Sequence, residues 1–377
     1  LANTTGSSNL ALGSEACQTS TTSNNMVAIG RAALKLNTSG SSNTAVGAFS
    51  LDANTHGYYN VALGTEALSG NTTGVQNTGL GTFALYANTT ASNNTGIGHK
   101  ALFANTTGTR NVAVGANILD AATTADDNTA LGFEALTTCT TGSDNTAIGK
   151  DALYHNTTGG NNTAVGKDAL TTCTTGVQNT ALGVDALKLV STGNNNVGIG
   201  FEANESLTTG SENIGVGGSS LLSLSTGSSN VAMGHDAGRG LSTGSNNIFI
   251  GKDAGRSNSP GGQQTTGSDS IVLGNNDIDS LFCADTSISS SDSRDKTDIA
   301  DFSIGLAWIK ALRPVTYRWD RRTWYGTDAE PFGTPDGSKK RIKTHIGFLA
   351  QEALEVEKAN GYGASNDDSL VVNLTDD

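Results

Sequence analysis

The sequence predicts an all-β repeat shaft over residues 1–275, a parallel β-roll or β-solenoid, then a linker over 276–290 and a small α+β domain over 291–377. Three observations predict it. A phrase of 17 residues recurs without a slip, large apolar side chains are scarce, and the composition changes abruptly after Gly274.

The beat is read on the glycine that ends each phrase of the type "NTAVG". It stands at Gly13, Gly30, Gly47 and onward every 17 residues to Gly251, and a last copy ends at Gly274 after 23 residues, an insertion of six. Repeats of such period mark solenoids and related arrays. In the fifteen copies that end at Gly13 to Gly251, Asn stands four residues before the glycine, except at Met26, and an aliphatic side chain such as Leu12, Ile29 or Val46 immediately precedes it. In the same fifteen copies, two before it comes Ala or Gly, apart from Phe249, and four after it Leu in most, such as Leu34, Leu102 and Leu187.

With 48 Gly, 4 Pro, 5% aromatic and 15% charged residues, the chain would by composition alone be disordered. Periodicity overrides that reading, because identical coils stack on one another. Read with period two, the phrase has one face of Thr or Val and the aliphatic residue, and a second face of Asn, Ala and Gly small enough for close backbone approach. The following "AL" reads as a second short strand, and a "TTG" turn returns the chain. The Asn column predicts a ladder of amide hydrogen bonds. One coil holds too few aliphatic side chains to stand alone. Both faces of the phrase look made for burial, so the expectation is one face inside the roll and the other against partner chains, most simply in a homotrimer. Some fifteen turns at ~4.8 Å make a rod of roughly 70 Å.

The net charge of −13 argues against nucleic acid as partner, since a phosphate backbone calls for a basic face. No run of about 20 apolar residues predicts a membrane span, and no signal peptide opens the chain. It begins inside the repeat, which predicts an N-terminal attachment region upstream. Cys17, Cys139, Cys173 and Cys283 lack metal-ligand spacing. Cys139 and Cys173 share a column two turns apart, ~10 Å by the strand spacing, too far for a disulfide. No cofactor is expected.

The phrase N-[TV]-A-[VIL]-G-x-x-A-L resembles the head repeats of trimeric autotransporter adhesins and the similar shafts of phage tail fibres, over about residues 1–275. The resemblance implies a left-handed parallel β-roll in each chain and a tight trimer, although the adhesin repeat is somewhat shorter.

Several surface features invite a function. Lys150–Asp151, Lys167–Asp168 and Lys252–Asp253, with Asp185 and Asp236 in register, could form a carboxylate ladder for calcium. The GGxGxDxUx pattern is absent and the lysines offset the charge, so a solvated face is the better reading. Thr falls mostly in turns rather than on a TxT strand face, which argues against ice binding. The N-x-S/T triplets follow from the repeat, and no paired carboxylates of a glycan-degrading enzyme stand out. His99, His155 and His235 are expected at the surface. The stretch Arg256–Gly267 is expected to be an exposed loop, with receptor contact as its sharper reading.

After Gly274 the charge density rises, and Trp308, Trp319 and Trp324 all lie in this tail. "IGLAWIKALRPVTYRW" reads as a helix stopped by Pro314 and then a strand, and "THIGFLAQEALEVEKANG" as a strand entering a helix. With "SSSDSRDKTDI" at its start, "LRPVTYRW" and "GFLAQE" in that order, the tail resembles the S74-type intramolecular chaperone of phage tailspikes and fibres. The pattern S-D-x-R-x-K falls on Ser291, Asp292, Arg294 and Lys296. The resemblance implies a domain that trimerises the chain, promotes folding of the shaft and then cuts itself off at Ser291. A serine hydroxyl needs a base. Lys296 serves if burial lowers its pKa, giving a Ser–Lys dyad, with Asp292 or Arg294 holding the turn or the lysine. The scissile bond is adjacent in the same chain, so proximity is built in. The long C-terminal helix of that family is expected beyond "VVNLTDD".

Together these readings predict a trimeric tail fibre in the virion that attaches to a host-surface receptor, a glycan or outer-membrane component, alongside other tail proteins. The alternative is a trimeric adhesin on the bacterial cell surface.

Overall fold

The computed structural model describes residues 4–278 and, in the C-terminal part, 311–312, 314–317, 338, 345–347 and 349–359. The chain divides into two compact units, Leu1–Phe282 and Cys283–Asp377.

The first unit is one all-parallel β-solenoid. Its 16 three-residue strands, from β1 (Leu10–Leu12) through β10 (Thr163–Val165) to β16 (Ile271–Leu273), pair in sequence order in a single sheet. We number each coil after its strand. Register is strict: Thr163 pairs with Thr180, Ala164 with Ala181 and Val165 with Leu182. Even across the insertion, Ile248 pairs with Ile271 and Phe249 with Val272. The small face of the phrase is the interior: Ala164, Ala181 and the preceding Asn162 and Asn179 are buried, while the aliphatic face points out.

The "AL" element is not a strand. It is a run of turns in which Asp151 and Leu153 adopt φ of 57° and 52°, as do their counterparts along the solenoid. Amides close successive turns, as Ala33 N to Gly30 O at 3.4 Å, Lys35 N to Ala32 O at 3.3 Å and Asn37 N to Leu34 O at 3.3 Å. Alternating left-handed residues break the pleat, so the chain bends continuously instead of running straight. Non-glycine residues at positive φ are uncommon, and Asn and Asp tolerate it best. That accounts for Asp151, Asp168, Asp185, Asp236 and Asp253 in one such column and Asn161, Asn195 and Asn246 in another. A bulky Leu there persists because burial over-determines it, and Leu153 and Leu170 are fully buried.

The phrase glycine is required twice over. At Gly149 φ is 136°, and a Cβ there would lie 2.4 Å from the carbonyl oxygen of Gly166. The Asn column forms its ladder through both backbone and side chain. Asn162 N donates to Asn145 Oδ1 at 3.0 Å, and Asn162 Nδ2 donates to the same oxygen at 3.2 Å and to Gly176 O at 2.8 Å. Buried amides are thereby satisfied without a large core. A second Asn ladder, unforeseen in the sequence, runs from Asn37 to Asn105, each Nδ2 reaching the preceding Asn Oδ1, as Asn71 to Asn54 at 2.9 Å. Half-buried hydroxyls add a third, as Thr157 Oγ1 donates to Thr174 O at 3.0 Å.

In the second unit β17 (Val315–Tyr317) pairs antiparallel with β18 (His345–Gly347), and α1 (Ala350–Ala359) follows. The strand after Pro314 and the strand entering a helix match the reading of the tail. Leu312 and Ala353 are buried together against Val356. The expected helix before Pro314 lies largely outside the described residues, as does the linker beyond residue 278.

Candidate functional site

The solenoid builds three kinds of surface. The first is the outer face of the sheet. Leu63, Leu131 and Leu182 keep 51%, 47% and 47% of their surface exposed, and Leu12, Met233, Ile250 and Leu273 share their column. Strand alternation forces this: with Ala inside, the flanking side chains must point outward. An apolar column running the length of a solenoid is more than scattered exposure, and such patches mark interaction surfaces.

The second is the turn surface that follows each phrase. Lys150 pairs with Asp151 and Lys167 with Asp168, while Lys188 reaches Asp185 at 2.9 Å. These pairs neutralise the carboxylate column, and among the described residues no cluster of His, Cys, Asp or Glu could hold a metal ion. The backbone explains the column: those aspartates occupy left-handed positions. On coils 5 and 6 the same surface carries an aromatic stack, Tyr86 on Phe103 at 5.1 Å and 7°, with Phe83 edge-on to both. Lys100 Nζ stands over Phe103 at 5.6 Å, and burial pushes the nearby Asp120 carboxyl up against the opposing pull of Lys100. His99, His155 and His235 are exposed.

The third surface lies at coils 14–16, where Arg256 opens the inserted segment. Its Nη1 reaches Asp236 at 2.6 Å and Asp253 at 3.1 Å, and Arg239 reaches Asp236 at 3.0 Å. Burial alone would push the Asp253 carboxyl up, but the Arg256 hydrogen bond and Lys252 outweigh it and hold the pKa below the ordinary value. Beyond Arg256 the insertion is mostly exposed, with Ser259 buried.

Cys17, Cys139 and Cys173 are free and buried. Burial pushes each thiol up to about 11, the opposite of a nucleophile's environment. Ser291, Asp292, Arg294, Lys296 and Cys283 lie outside the described residues.

Sequence comparison places a family on that part of the chain. Residues 291–362 match the family Peptidase_S74, described as chaperone of endosialidase. Neither the curated proteins nor the solved structures gave a match. Residues 291–362 thus form a peptidase S74 chaperone domain that follows an all-parallel β-solenoid of 17-residue coils, a combination consistent with a phage tail-fibre-like protein.

Proposed function

We propose that the protein is a homotrimeric phage tail fibre that attaches the virion to a host-surface receptor, and that its S74 domain trimerises the chain, guides the winding of the shaft and severs itself beside Ser291. The observation that carries the trimer is the uncovered apolar column of the sheet, with Leu63, Leu131 and Leu182 near half exposure. The interior is filled by Ala, Leu and Asn, so this column has no partner within its own solenoid. Three copies around an axis parallel to the shaft cover it along its length.

The chaperone follows from the shaft's own physics. Parallel non-local pairing is slow and exposed to aggregation, and neighbouring coils are nearly interchangeable. A domain that joins three chains before the shaft winds aligns them. In the cleavage step neutral Lys296 takes the proton of the Ser291 hydroxyl. The oxygen then attacks the adjacent peptide carbonyl, the leaving amine takes up a proton, and water hydrolyses the resulting ester. Asp292 or Arg294 holds the turn or the lysine. The partners outside the trimer are a surface glycan or outer-membrane component and other tail proteins.

Native mass spectrometry of the full chain is expected to report three copies, and Leu131→Asp with Leu182→Asp to give monomers. A folded monomer of the unchanged sequence would overturn the trimer. Ser291→Ala is expected to leave the chain at full length where the unchanged chain is cut near residue 291. The same cut in both would overturn the dyad while leaving the trimer standing.

A further inference from the structure

The solenoid is degenerate along most of its length. Strand β10 stacks Ala164 between Ala147 and Ala181, and the turn that follows each strand presents Leu153, Leu170 or Leu187 to its neighbours. A coil looped out of such a stack brings the same side chains together again.

Coils 14 and 15 are not degenerate. Phe249 stands where strands β2–β14 carry Ala or Gly, and it is fully buried. Its ring lies against two glycine backbones. A Cβ on Gly238 would lie 2.8 Å from Phe249 Cδ2, and one on Gly255 would lie 2.5 Å from Cδ1 and Cε1. Both glycines occupy the column that holds Leu from Leu34 to Leu187. One side chain has grown and two have vanished around it.

The same coils carry the motif D-A-G-R twice, Asp236–Arg239 and Asp253–Arg256. Arg256 bridges the two coils through Asp236 at 2.6 Å, and Asp236 is only 5% exposed. The inserted segment closes onto them, with Gln264 N donating to Gly255 O at 2.9 Å and Ser242 N to Thr265 O at 2.6 Å.

We propose that Phe249, its facing Gly238 and Gly255, and the Asp236–Arg256 bridge form a register key: this coil pair stacks in one way only, forms first, and gives the template on which the lower-numbered coils wind. A misplaced Phe249 would meet Leu221 and be overpacked. Leaving out coil 15 would strip the buried Asp236 of Arg256 and leave Arg239 as its one arginine partner. No coil from 3 to 11 imposes either penalty. The key holds whether the shaft is single or trimeric.

The test is refolding of the full chain from denaturant with pulsed hydrogen exchange read by mass spectrometry. Amides of residues 231–256 are expected to be protected first, with protection spreading toward lower numbers. The triple variant Phe249→Ala, Gly238→Leu, Gly255→Leu restores the common pattern. It is expected to keep its equilibrium stability but to refold about tenfold more slowly, because coils stacked out of register must part before they can wind correctly, without the early protected segment. Arg256→Gln leaves the ring packing intact and slows refolding about threefold. Moving the key, with Ala130→Phe, Leu119→Gly and Leu136→Gly in the triple background, is expected to move the first protection to residues 112–137. Native rates in both the triple variant and Arg256→Gln would overturn the proposal. So would first protection at the N-terminal coils of the unchanged chain.

Discussion

Between its end coils, two stretches of the solenoid depart from its leucine column, and they depart differently. At coil 12 the column holds Asn204 in place of Leu, and the strand residue facing it is Gly215. A Cβ on Gly215 would fall 1.8 Å from Asn204 Oδ1, so the amide occupies the space that the glycine leaves. Yet Asn204 Nδ2 and Oδ1 and the Ser220 hydroxyl, all buried, have no hydrogen-bond partner in the protein. At coils 14 and 15 the column holds glycine twice, and Phe249 fills the volume with an apolar ring. The first exchange conserves space and leaves polar groups unmatched; the second conserves both space and polarity. Volume is therefore the stricter rule in this narrow interior, where backbones stack closely and a methyl group has nowhere to go. Polarity is looser, provided a neighbour can shrink.

The comparison breaks most readily at Gly255. Gly255→Leu restores the common residue but drives its side chain into the Phe249 ring, and overpacking of this kind is expected to cost about 3 kcal/mol or more. Adding Phe249→Ala should return most of that loss, because Ala against Leu is the ordinary pairing of the solenoid. Chemical denaturation of the single and double variants gives the coupling between the two sites. A double variant no more stable than Gly255→Leu would show that the glycine serves its backbone, at φ 79°, and not the ring.

Asn204→Leu sharpens the other half of the comparison. Leu fits beneath a strand glycine elsewhere: a Cβ on Gly79 would lie 3.3 Å from Leu68 Cγ, and one on Gly96 3.2 Å from Leu85 Cγ. The substitution removes two unmatched polar atoms whose burial costs about 1–3 kcal/mol. It is expected to stabilise coils 12 and 13 by about 2 kcal/mol, read as slower amide exchange at residues 197–221. Faster exchange there would mean that Asn204 is satisfied in solution.

These two departures also mark how far the sequence could be read. The glycine and asparagine columns were legible because each residue type answers a constraint that nothing else meets: a backbone at φ near 135° against a neighbouring carbonyl, and a side chain that both donates and accepts between coils. The Ala–Leu pair misled. It reads as a strand because Leu gives no hint of a left-handed backbone, and only the Asp and Asn two residues before it or eight after, as Asp151 and Asn161 around Leu153, carry that signal. Phe249 was visible as an exception. Its glycines, 11 residues before and 6 after, belong to other positions of the coil, and only the winding brings them to the ring. Ser291, Asp292 and Lys296 rest on motif order and on the family match over 291–362.

The smallest expected effect concerns the three thiols, which join the two halves of the comparison because sulfur is apolar until it ionises. Cys139 and Cys173 stand in the column that elsewhere holds Asn, Ser20, Ala122, Val190 or Leu, and Cys17 in the leucine column. Burial raises each from 9.0 to about 11. The unfolded chain therefore releases these protons at lower pH than the folded one, and stability falls with rising pH wherever the unfolded state binds fewer protons. Their contribution is fully present below pH 9 and is lost as the pH climbs through about 11. Cys17→Leu, Cys139→Ala and Cys173→Val, each a residue already found in its column, should remove that alkaline decline from denaturation midpoints measured between pH 8 and pH 11. The native thiols should also resist alkylation at pH 8 until the chain is unfolded. Rapid labelling of Cys139 or Cys173 in the folded protein would mean that the coils part often enough to expose them, and that the narrow interior is looser than its hydrogen-bonded ladders imply.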